Sequence, residues 1–345
     1  MADFSTLIQA WFRQNQRNLP WRGINDPYKI WLSEVILQQT RVDQGMAYYL
    51  KFVETFPTIK DLANADEDHV LNLWQGLGYY SRARNMHFSA KMVANELGGV
   101  FPSTYKGVLS LKGVGEYTAA AITSIAYNLP HAVVDGNVYR VLSRYLEIGT
   151  PIDSTQGKKE FSLAAAEFLD HNNPGDHNQA LMEIGALVCL PKSPKCNECP
   201  LAQSCASLQN NSQLNFPVKS KKIKVVNRYL HYLVLTDGEN TVLKKRTGKG
   251  IWEGLYDFPL IEKKVGEELT ENDLKSEDLV GFDFDGSFKH ILSHQRILAT
   301  FWLVRVKRIK LVDNQIKIAI NQVEDYPLPQ LLIRYIKESR LFEAD

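Results

Sequence analysis

The pattern of hydrophobic and polar positions predicts a helical N-terminal part. Apolar residues spaced three and four apart mark a first amphipathic helix at Phe4, Leu7, Ile8, Trp11 and Phe12. Asp26-Pro27 predicts the start of a second helix, since aspartate is a favoured cap and proline suits the first helical position. The segment after it, YKIWLSEVILQQT, has the composition of a mostly buried helix. Further helices are predicted at 45–55, 67–75, 81–97, 117–127, 138–146, 158–171 and 178–189.

The pattern changes after the polar segment 207–224, which contains four lysines and no acidic residue, and which we interpret as a linker. Beyond it, RYLHYLVLTDGENTVLKKR predicts two strands joined by a turn at Asp237-Gly238. ILATFWLVRVKRIK predicts another strand, and LPQLLIRYIKESR a closing helix. We therefore expect an all-α domain over 1–206 and a mixed α+β domain over 225–345.

Length and composition agree with two globular domains. The chain has 345 residues, of which 44% are hydrophobic, so it can bury a full core in each domain. With 40 basic and 39 acidic residues, bulk charge does not indicate a polyanionic partner. Neither a secretory signal nor a membrane-spanning apolar run is recognisable. We expect no membrane association, and a cytoplasmic or nucleoid location if the source is bacterial.

Cysteine usage indicates a metal centre. Four cysteines lie within the segment 189–205 with the spacing C-x6-C-x2-C-x5-C, namely Cys189, Cys196, Cys199 and Cys205. A disulfide framework would distribute its cysteines across a small secreted domain. Four thiolates can hold either zinc or a 4Fe–4S cluster, and the single short spacing is unusual for zinc.

A glycine-rich turn lies between two helical stretches, at Leu111, Gly113, Val114 and Gly115. Two glycines around one apolar residue allow a tight hairpin, and we expect its backbone N–H groups to point outward. At the N-terminus of the next helix such a turn can hold a DNA phosphate without side-chain charge. The alternative is an ordinary helix–helix turn with a glycine cap.

Two carboxylates are candidates for catalysis. Glu34 lies among apolar residues, where burial raises a carboxyl pKa toward that of a general acid. Asp135 lies just before a predicted helix, whose N-terminus favours the ionised form. Cleavage of a glycosidic bond uses one protonated carboxyl group as the acid and one ionised carboxyl group beside it. A surface salt bridge for Glu34 and a capping role for Asp135 are the structural alternatives.

Taken together, the hairpin LKGVGEYTA, the segment VVDGNV and the cysteine spacing resemble the helix-hairpin-helix DNA glycosylases with an iron–sulfur loop. Within them, PWR, WLSEVILQQTRV, LWQGLGYYSRARN and NQALMEIGALVC closely resemble the MutY-type adenine glycosylases, and the similarity covers residues 5–206. The C-terminal part resembles, more weakly, that family's Nudix-like 8-oxoguanine recognition domain. The resemblance implies excision of adenine mispaired with 8-oxoguanine or guanine, and a duplex DNA partner that a monomer binds.

The resemblance also implies roles for individual residues. Glu34 matches the general acid that protonates adenine, and Asp135 the carboxylate that stabilises the oxocarbenium-like sugar, with Tyr117 and Asn137 holding this core. Arg22 and Glu183 match two residues around the flipped adenine, and Gln39 and Tyr79 match two residues that enter the base stack. The four cysteines match the ligands of a 4Fe–4S cluster, namely Cys189, Cys196, Cys199 and Cys205.

Two positions carry information about the reaction. Bifunctional relatives such as endonuclease III have a lysine nucleophile where this chain has Tyr117, so the resemblance implies a glycosylase without lyase activity. In the C-terminal segment HILSHQRI the family's lesion-reading phenylalanine is replaced by Leu292, while Ser293 and His294 remain. No R-E-x-x-E-E signature occurs in 225–345, so we expect recognition there rather than phosphohydrolysis. The alternatives are an endonuclease III-like glycosylase/lyase, a non-enzymatic iron–sulfur DNA-binding protein and a zinc-stabilised scaffold.

Overall fold

A computed structural model describes residues 3–220, 225–267, 269–274 and 278–342. The chain forms two compact units, the first comprising Met1–Asn64 with Asn85–Lys221 and the second Ala65–Arg84 with Lys222–Asp345. The segment 65–84, which we assign to the helical domain from sequence, therefore groups with the C-terminal residues.

Helices dominate the chain up to residue 209. They are α1 (Phe4–Asn15), α2 (Pro27–Leu37), α3 (Val42–Thr55), α4 (Ile59–Asn64), α5 (Glu67–Leu73), α6 (Ser81–Glu96), α7 (Tyr105–Leu109), α8 (Glu116–Tyr127), α9 (Gly136–Tyr145), α10 (Thr155–Phe168), α11 (Pro174–Leu187) and α12 (Ala206–Gln209). All the helices predicted from periodicity are present. The short helix α4 was not predicted, because six residues are too few to show a periodic pattern.

Local signals in the sequence explain where the site-bearing helices begin. Asp26 caps α2 by accepting hydrogen bonds from the N–H groups of Tyr28 and Lys29, and Pro27 occupies the first turn, as predicted. The apolar faces of α1, α9, α10 and α11 meet in one core, which includes Ile8, Leu142, Phe161, Leu181 and Ile184. This core holds α9 and α11 together on either side of the candidate site.

The segment that we interpret as a linker is attached to the first unit over its described part. The N–H of Ile152 donates to the carbonyl of Val218 at 3.0 Å, and the N–H of Ser220 donates to the Asp153 carboxylate at 3.0 Å. Polar composition therefore does not make the segment up to residue 220 independent of the helices.

The second unit contains a mixed seven-stranded sheet. Its strands are β1 (Val226–Thr236), β2 (Asn240–Lys245), β3 (Tyr256–Asp257), β4 (Leu260–Lys263), β5 (Leu279–Ile291), β6 (Gln295–Val306) and β7 (Gln315–Ala319). The order is β3-β2-β1-β6-β5, with β4 paired to β1 and β7 to β2. Only the pairing of β1 with β6 is parallel among the described strands. Two helices, α13 (Glu271–Leu274) and α14 (Gln330–Glu338), complete this unit.

Aromatic residues form the centre of the second core. The ring of Phe301 stacks on two tyrosines, with ring centroids 3.9 Å from Tyr335 and 4.9 Å from Tyr232. The predicted strands β1, β2 and β6 and the closing helix α14 are present, which confirms an α+β domain. The long strand β5 was not predicted, because its sequence FDFDGSFKH mixes charges and glycine, and its pairing with β6 contains two irregularities.

None of the described helices is long and apolar enough to cross a bilayer.

Candidate active site

A cavity of about 210 Å³ in the first unit brings together side chains from distant parts of the sequence. Six of the predicted site residues line it, namely Arg22, Glu34, Tyr117, Asp135, Asn137 and Glu183. They come from α2, α8, α9, α11 and the loop before α2. The sequence identifies these residues one by one, and the fold places them around one space.

Glu34 lies on α2 with its side chain buried, only 8% exposed. Its Oε2 accepts a hydrogen bond of 2.6 Å from the phenol of Tyr117 on α8. Burial raises the pKa of Glu34 to about 7, while the Tyr117 hydrogen bond lowers it and the charge of Asp135 raises it. The burial predicted for this carboxyl is confirmed, and near neutral pH it carries a proton part of the time.

Asp135 is the N-cap of α9. Its Oδ1 accepts from the N–H of Val138 at 2.7 Å, and its Oδ2 accepts from the side-chain amide of Asn137 at 2.8 Å. Burial raises the pKa of Asp135 above its usual value, against the lowering effect of these hydrogen bonds and of Arg140. The helix terminus alone would lower this pKa, so burial outweighs the effect that the sequence predicts.

A two-arginine clamp fixes Glu183 at another side of the cavity. Arg17 Nη2 and Arg22 Nη2 lie 2.7 and 2.6 Å from Glu183 Oε2, and both side chains also bond Oε1. Burial raises the pKa of Glu183, but the arginine hydrogen bonds outweigh it and lower the pKa to about 2. Glu183 is thus a fixed anion. Arg17 was not predicted, because no local pattern links it to a partner 166 positions away.

A glycine determines how closely α11 approaches α9. A Cβ on Gly185 would lie 2.5 Å from the Cβ of Asn137, closer than carbon atoms pack. The absence of a side chain at Gly185 therefore allows Asn137 to occupy its place in the cavity wall. Arg140 Nη2 also donates to the Asn137 Oδ1 at 2.8 Å, so the amide is held from two sides.

The predicted hairpin connects α7 to α8. Leu111 and Val114 are buried, and Gly115 precedes the first turn of α8. Gly113 has a φ of +83°, and a Cβ there would lie 2.8 Å from the Cβ of Asn85, so the turn requires glycine. The expectation that all its N–H groups point outward is wrong for Val114, whose N–H donates to the Leu111 carbonyl at 3.1 Å.

Comparison with known proteins agrees with this geometry. A model described as HhH-GPD superfamily base excision DNA repair protein matches residues 32–166, and a NUDIX domain model matches residues 231–338. The chain is 33% identical over 348 residues to the adenine DNA glycosylase of Buchnera aphidicola subsp. Baizongia pistaciae, covering 99% of this chain and 97% of that protein. The chain belongs to the adenine DNA glycosylase family. As a family member it is a base excision repair glycosylase, an enzyme that hydrolyses N-glycosidic bonds.

Other relatives of this glycosylase match over a smaller share of the chain. The adenine DNA glycosylase of Mus musculus is 42% identical over 354 residues, covering 85% of this chain and 69% of that protein. Among solved structures, a thermostable thymine-DNA glycosylase superposes with a TM-score of 0.56 at 29% identity, over 60% of this chain and 95% of its own. An endonuclease III–DNA complex has a TM-score of 0.50 at 20% identity, over 59% and 94%, and shares the fold.

The four cysteines of the glycosylase lie around one small cavity in the first unit. Cys189 follows α11, and the other three lie in the loop after it. Arg144 of α9 holds this loop, since its Nη1 lies 3.4 Å from the Cys189 sulfur and its guanidinium donates to the carbonyls of Leu190 and Pro191. Among the described residues, no three His, Cys, Asp or Glu side chains lie close enough to hold a single ion.

The remaining predicted residues lie outside the Glu34 cavity. Gln39 is exposed in the first unit, with a positive φ of 57°. Tyr79 is exposed in the second unit, also with a positive φ, and its hydroxyl lies 2.8 Å from the Ser293 hydroxyl. Tyr79, Ser293 and His294 line a cavity of about 470 Å³ within that unit.

Proposed function

We propose that this chain is a monofunctional DNA glycosylase that excises adenine paired with 8-oxoguanine or guanine. The observation that carries the proposal is the pair of carboxyl groups in the 210 Å³ cavity, where Glu34 has a pKa of about 7 and Asp135 accepts hydrogen bonds on both oxygens. Such a pair supplies one acid and one anion to a glycosidic bond. The names of the relatives support adenine as the base.

The first step is protonation of the departing base. A general acid is most effective when its pKa is near the working pH, and the pKa of Glu34 is about 7. Tyr117 donates to Oε2 of Glu34, which directs the carboxyl group toward the cavity and leaves Oε1 for the base. The adenine must leave the helix to reach this cavity, at a cost of a few kcal/mol that a mispair lowers.

The second step is formation of positive charge on the sugar. Asp135 in its ionised form stabilises that charge, and the amide of Asn137 and the N–H of Val138 hold its two oxygens in place. Water then adds to the sugar carbon, and the product is an abasic site. Glu183, held as an anion by Arg17 and Arg22, provides fixed hydrogen-bonding groups for the extruded base.

The identity of residue 117 supports hydrolysis without strand cleavage. A glycosylase that also cuts the strand uses an amine to form a Schiff base with the sugar. Here the position is a tyrosine whose hydroxyl is bound to Glu34, and a phenol cannot form that intermediate.

We further propose that the four cysteines hold a 4Fe–4S cluster. The thiols share one cavity, and their spacing contains only one short pair, which favours a cluster over zinc. A bound cluster would fasten the loop, and with it Lys192 and Lys195, against α9. Metal analysis of the purified protein tests this, with iron and sulfide expected and stoichiometric zinc contradicting it.

We propose duplex DNA as the partner of this protein. In this proposal the hairpin before α8 offers a helix N-terminus to a phosphate, and the Ser293–His294 loop lines the cavity of the second unit that takes the base opposite adenine. One copy of the chain contains both sites, which supports action as a monomer.

The test is single-turnover cleavage of labelled duplexes, each analysed with and without alkali. The set contains adenine opposite 8-oxoguanine, guanine or thymine, and a thymine glycol duplex. We expect alkali-dependent scission only at adenine opposite 8-oxoguanine or guanine, fastest opposite 8-oxoguanine. Glu34→Gln is the matched control, because it keeps the shape of the side chain but removes the acid. Scission of thymine glycol without alkali would instead assign the chain to the pyrimidine glycosylase/lyases.

A further inference from the structure

The cavity of the second unit has an aromatic wall that sequence reasoning did not assign. Trp252 lines it together with Tyr79, Leu292, Ser293 and His294. The indole is 9% exposed, and its edge meets the ring of His290 with centroids 5.7 Å apart. From sequence alone this tryptophan is equally well explained as an ordinary core residue.

The backbone of Trp252 is strained. Its φ is +61°, in the left-handed region that bulky side chains rarely adopt. A turn that needs only this conformation is satisfied by glycine or asparagine at lower cost. Strain of this kind persists where the surroundings enforce it, and it occurs most often at functional sites. The cost at Trp252 therefore indicates that the indole itself is needed in the cavity.

An arginine enforces the strained turn. Arg84 donates to the carbonyl of Glu253, the residue after Trp252, and its Nη2 lies 3.1 Å from the Glu253 carboxylate. The neighbouring carbonyl, that of Trp252 itself, accepts from the N–H of Leu255 at 3.1 Å. The two successive carbonyls of Trp252 and Glu253 are thus both held, and the indole lines the same cavity as the Ser293–His294 loop.

We propose that Trp252 determines specificity for the base opposite adenine, by supplying aromatic surface to the 8-oxoguanine-reading cavity, and that Arg84 positions it. The 8-oxoguanine cavity belongs to the proposed function, and this inference rests on it. The loop residue Leu292 is aliphatic, so it cannot present a π-face to a base. Among the described residues, the benzene-type and indole rings that line this cavity belong to Tyr79, Tyr80 and Trp252, beside the imidazole of His294.

The experiment measures equilibrium binding by full-length protein carrying Glu34→Gln, which prevents turnover. Each variant is titrated with duplexes that hold adenine opposite 8-oxoguanine or opposite guanine, and the result is the ratio of the two Kd values. In this proposal the cavity holds 8-oxoguanine and not guanine, so losing one base–aromatic contact, worth about 1–3 kcal/mol, weakens binding to the 8-oxoguanine duplex alone. The preference for 8-oxoguanine is therefore expected to fall about tenfold in Trp252→Leu. Trp252→Phe keeps an aromatic ring and is expected to retain most of the preference.

Trp302→Leu is the matched control, since it removes a tryptophan of the same unit, on β6, that does not line the cavity. Arg84→Met is a second route to the same outcome, because it releases the turn that positions the indole while the chain keeps its tryptophan; Arg84 itself also lines the cavity. An equal loss of affinity for both duplexes in the Trp252 and Arg84 variants would overturn the inference, as would an unchanged ratio. A parent protein with no preference for 8-oxoguanine would instead overturn the proposed function.

Discussion

In the proposed mechanism, the hydrogen bond from Tyr117 to Glu34 shifts the pH range in which this glycosylase can act. Burial raises the pKa of Glu34 to about 7, and the bond from Tyr117 opposes that rise. A hydrogen bond to a charged group contributes about 1.5–3 kcal/mol, which corresponds to about one to two pKa units. Tyr117→Phe removes the bond without changing the ring, so we expect the pKa of Glu34 to rise by about that amount.

The consequence appears in the pH dependence of base excision. A general acid acts in its protonated form, so the single-turnover rate falls as pH rises through the pKa of Glu34. We expect this alkaline decrease to begin near pH 7 in the parent protein and about one to two pH units higher in Tyr117→Phe. The rate at the plateau is expected to fall as well, because the carboxyl loses the contact that orients it.

The assay is single-turnover excision of adenine opposite 8-oxoguanine between about pH 5.5 and 9.5, within the range where the two profiles separate. Tyr139→Phe is the control, since this tyrosine of α9 packs on Phe161 and does not line the cavity. An alkaline limb that stays in place, or moves to lower pH, in Tyr117→Phe would refute the assignment of Glu34 as the acid. A shift in Tyr139→Phe of the same size would show that the effect is not local.

Three further changes test the wall of the cavity and the core behind it. Gly185→Ala places a Cβ 2.5 Å from the Cβ of Asn137. We expect about 1–3 kcal/mol of lost stability and slower excision. An unchanged excision rate would contradict the close approach of α11 to Asn137. Arg17→Met leaves Glu183 with one arginine, and we expect the free energy of unfolding in urea at pH 7 to fall by about 1–3 kcal/mol. An unchanged free energy of unfolding would contradict the two-arginine clamp. His177 is buried with its pKa lowered to about 4. The free energy of unfolding is therefore expected to fall by about 3 kcal/mol as pH drops from 6.5 to 4, because the unfolded chain takes up a proton there and the folded chain does not. A weaker pH dependence of that free energy in His177→Gln would show that this histidine is responsible.

The sequence is most informative where a short segment determines its own conformation. Asp26-Pro27 begins α2 and thereby places Glu34 on a buried face, and Asp135 caps α9 with its own side chain. The hairpin before α8 depends on glycine at one position, and it too is visible in five residues. Such features are predictable because the interacting groups lie within a few positions of each other.

Features that depend on distant pairing are not visible in the sequence. Arg17 and Glu183 are joined only in the folded chain, and no periodicity marks the arginine. The grouping of residues 65–84 with the C-terminal unit depends on contacts such as that of Asp68 with Lys245, 177 positions apart. For Trp252 the positive φ, rather than the residue type, is the feature from which we infer a functional position.

The two carboxyl groups of the cavity show why the fold, and not residue type, assigns their roles. Both are buried and in both burial raises the pKa. Glu34 lies in the middle of a helix, where backbone N–H groups are already used, and its single donor is a phenol. Asp135 lies at a helix start, where a backbone N–H, an amide and Arg140 all favour its anion. The same desolvation therefore leaves Glu34 able to hold a proton at neutral pH, while Asp135 keeps several contacts that favour its charged form.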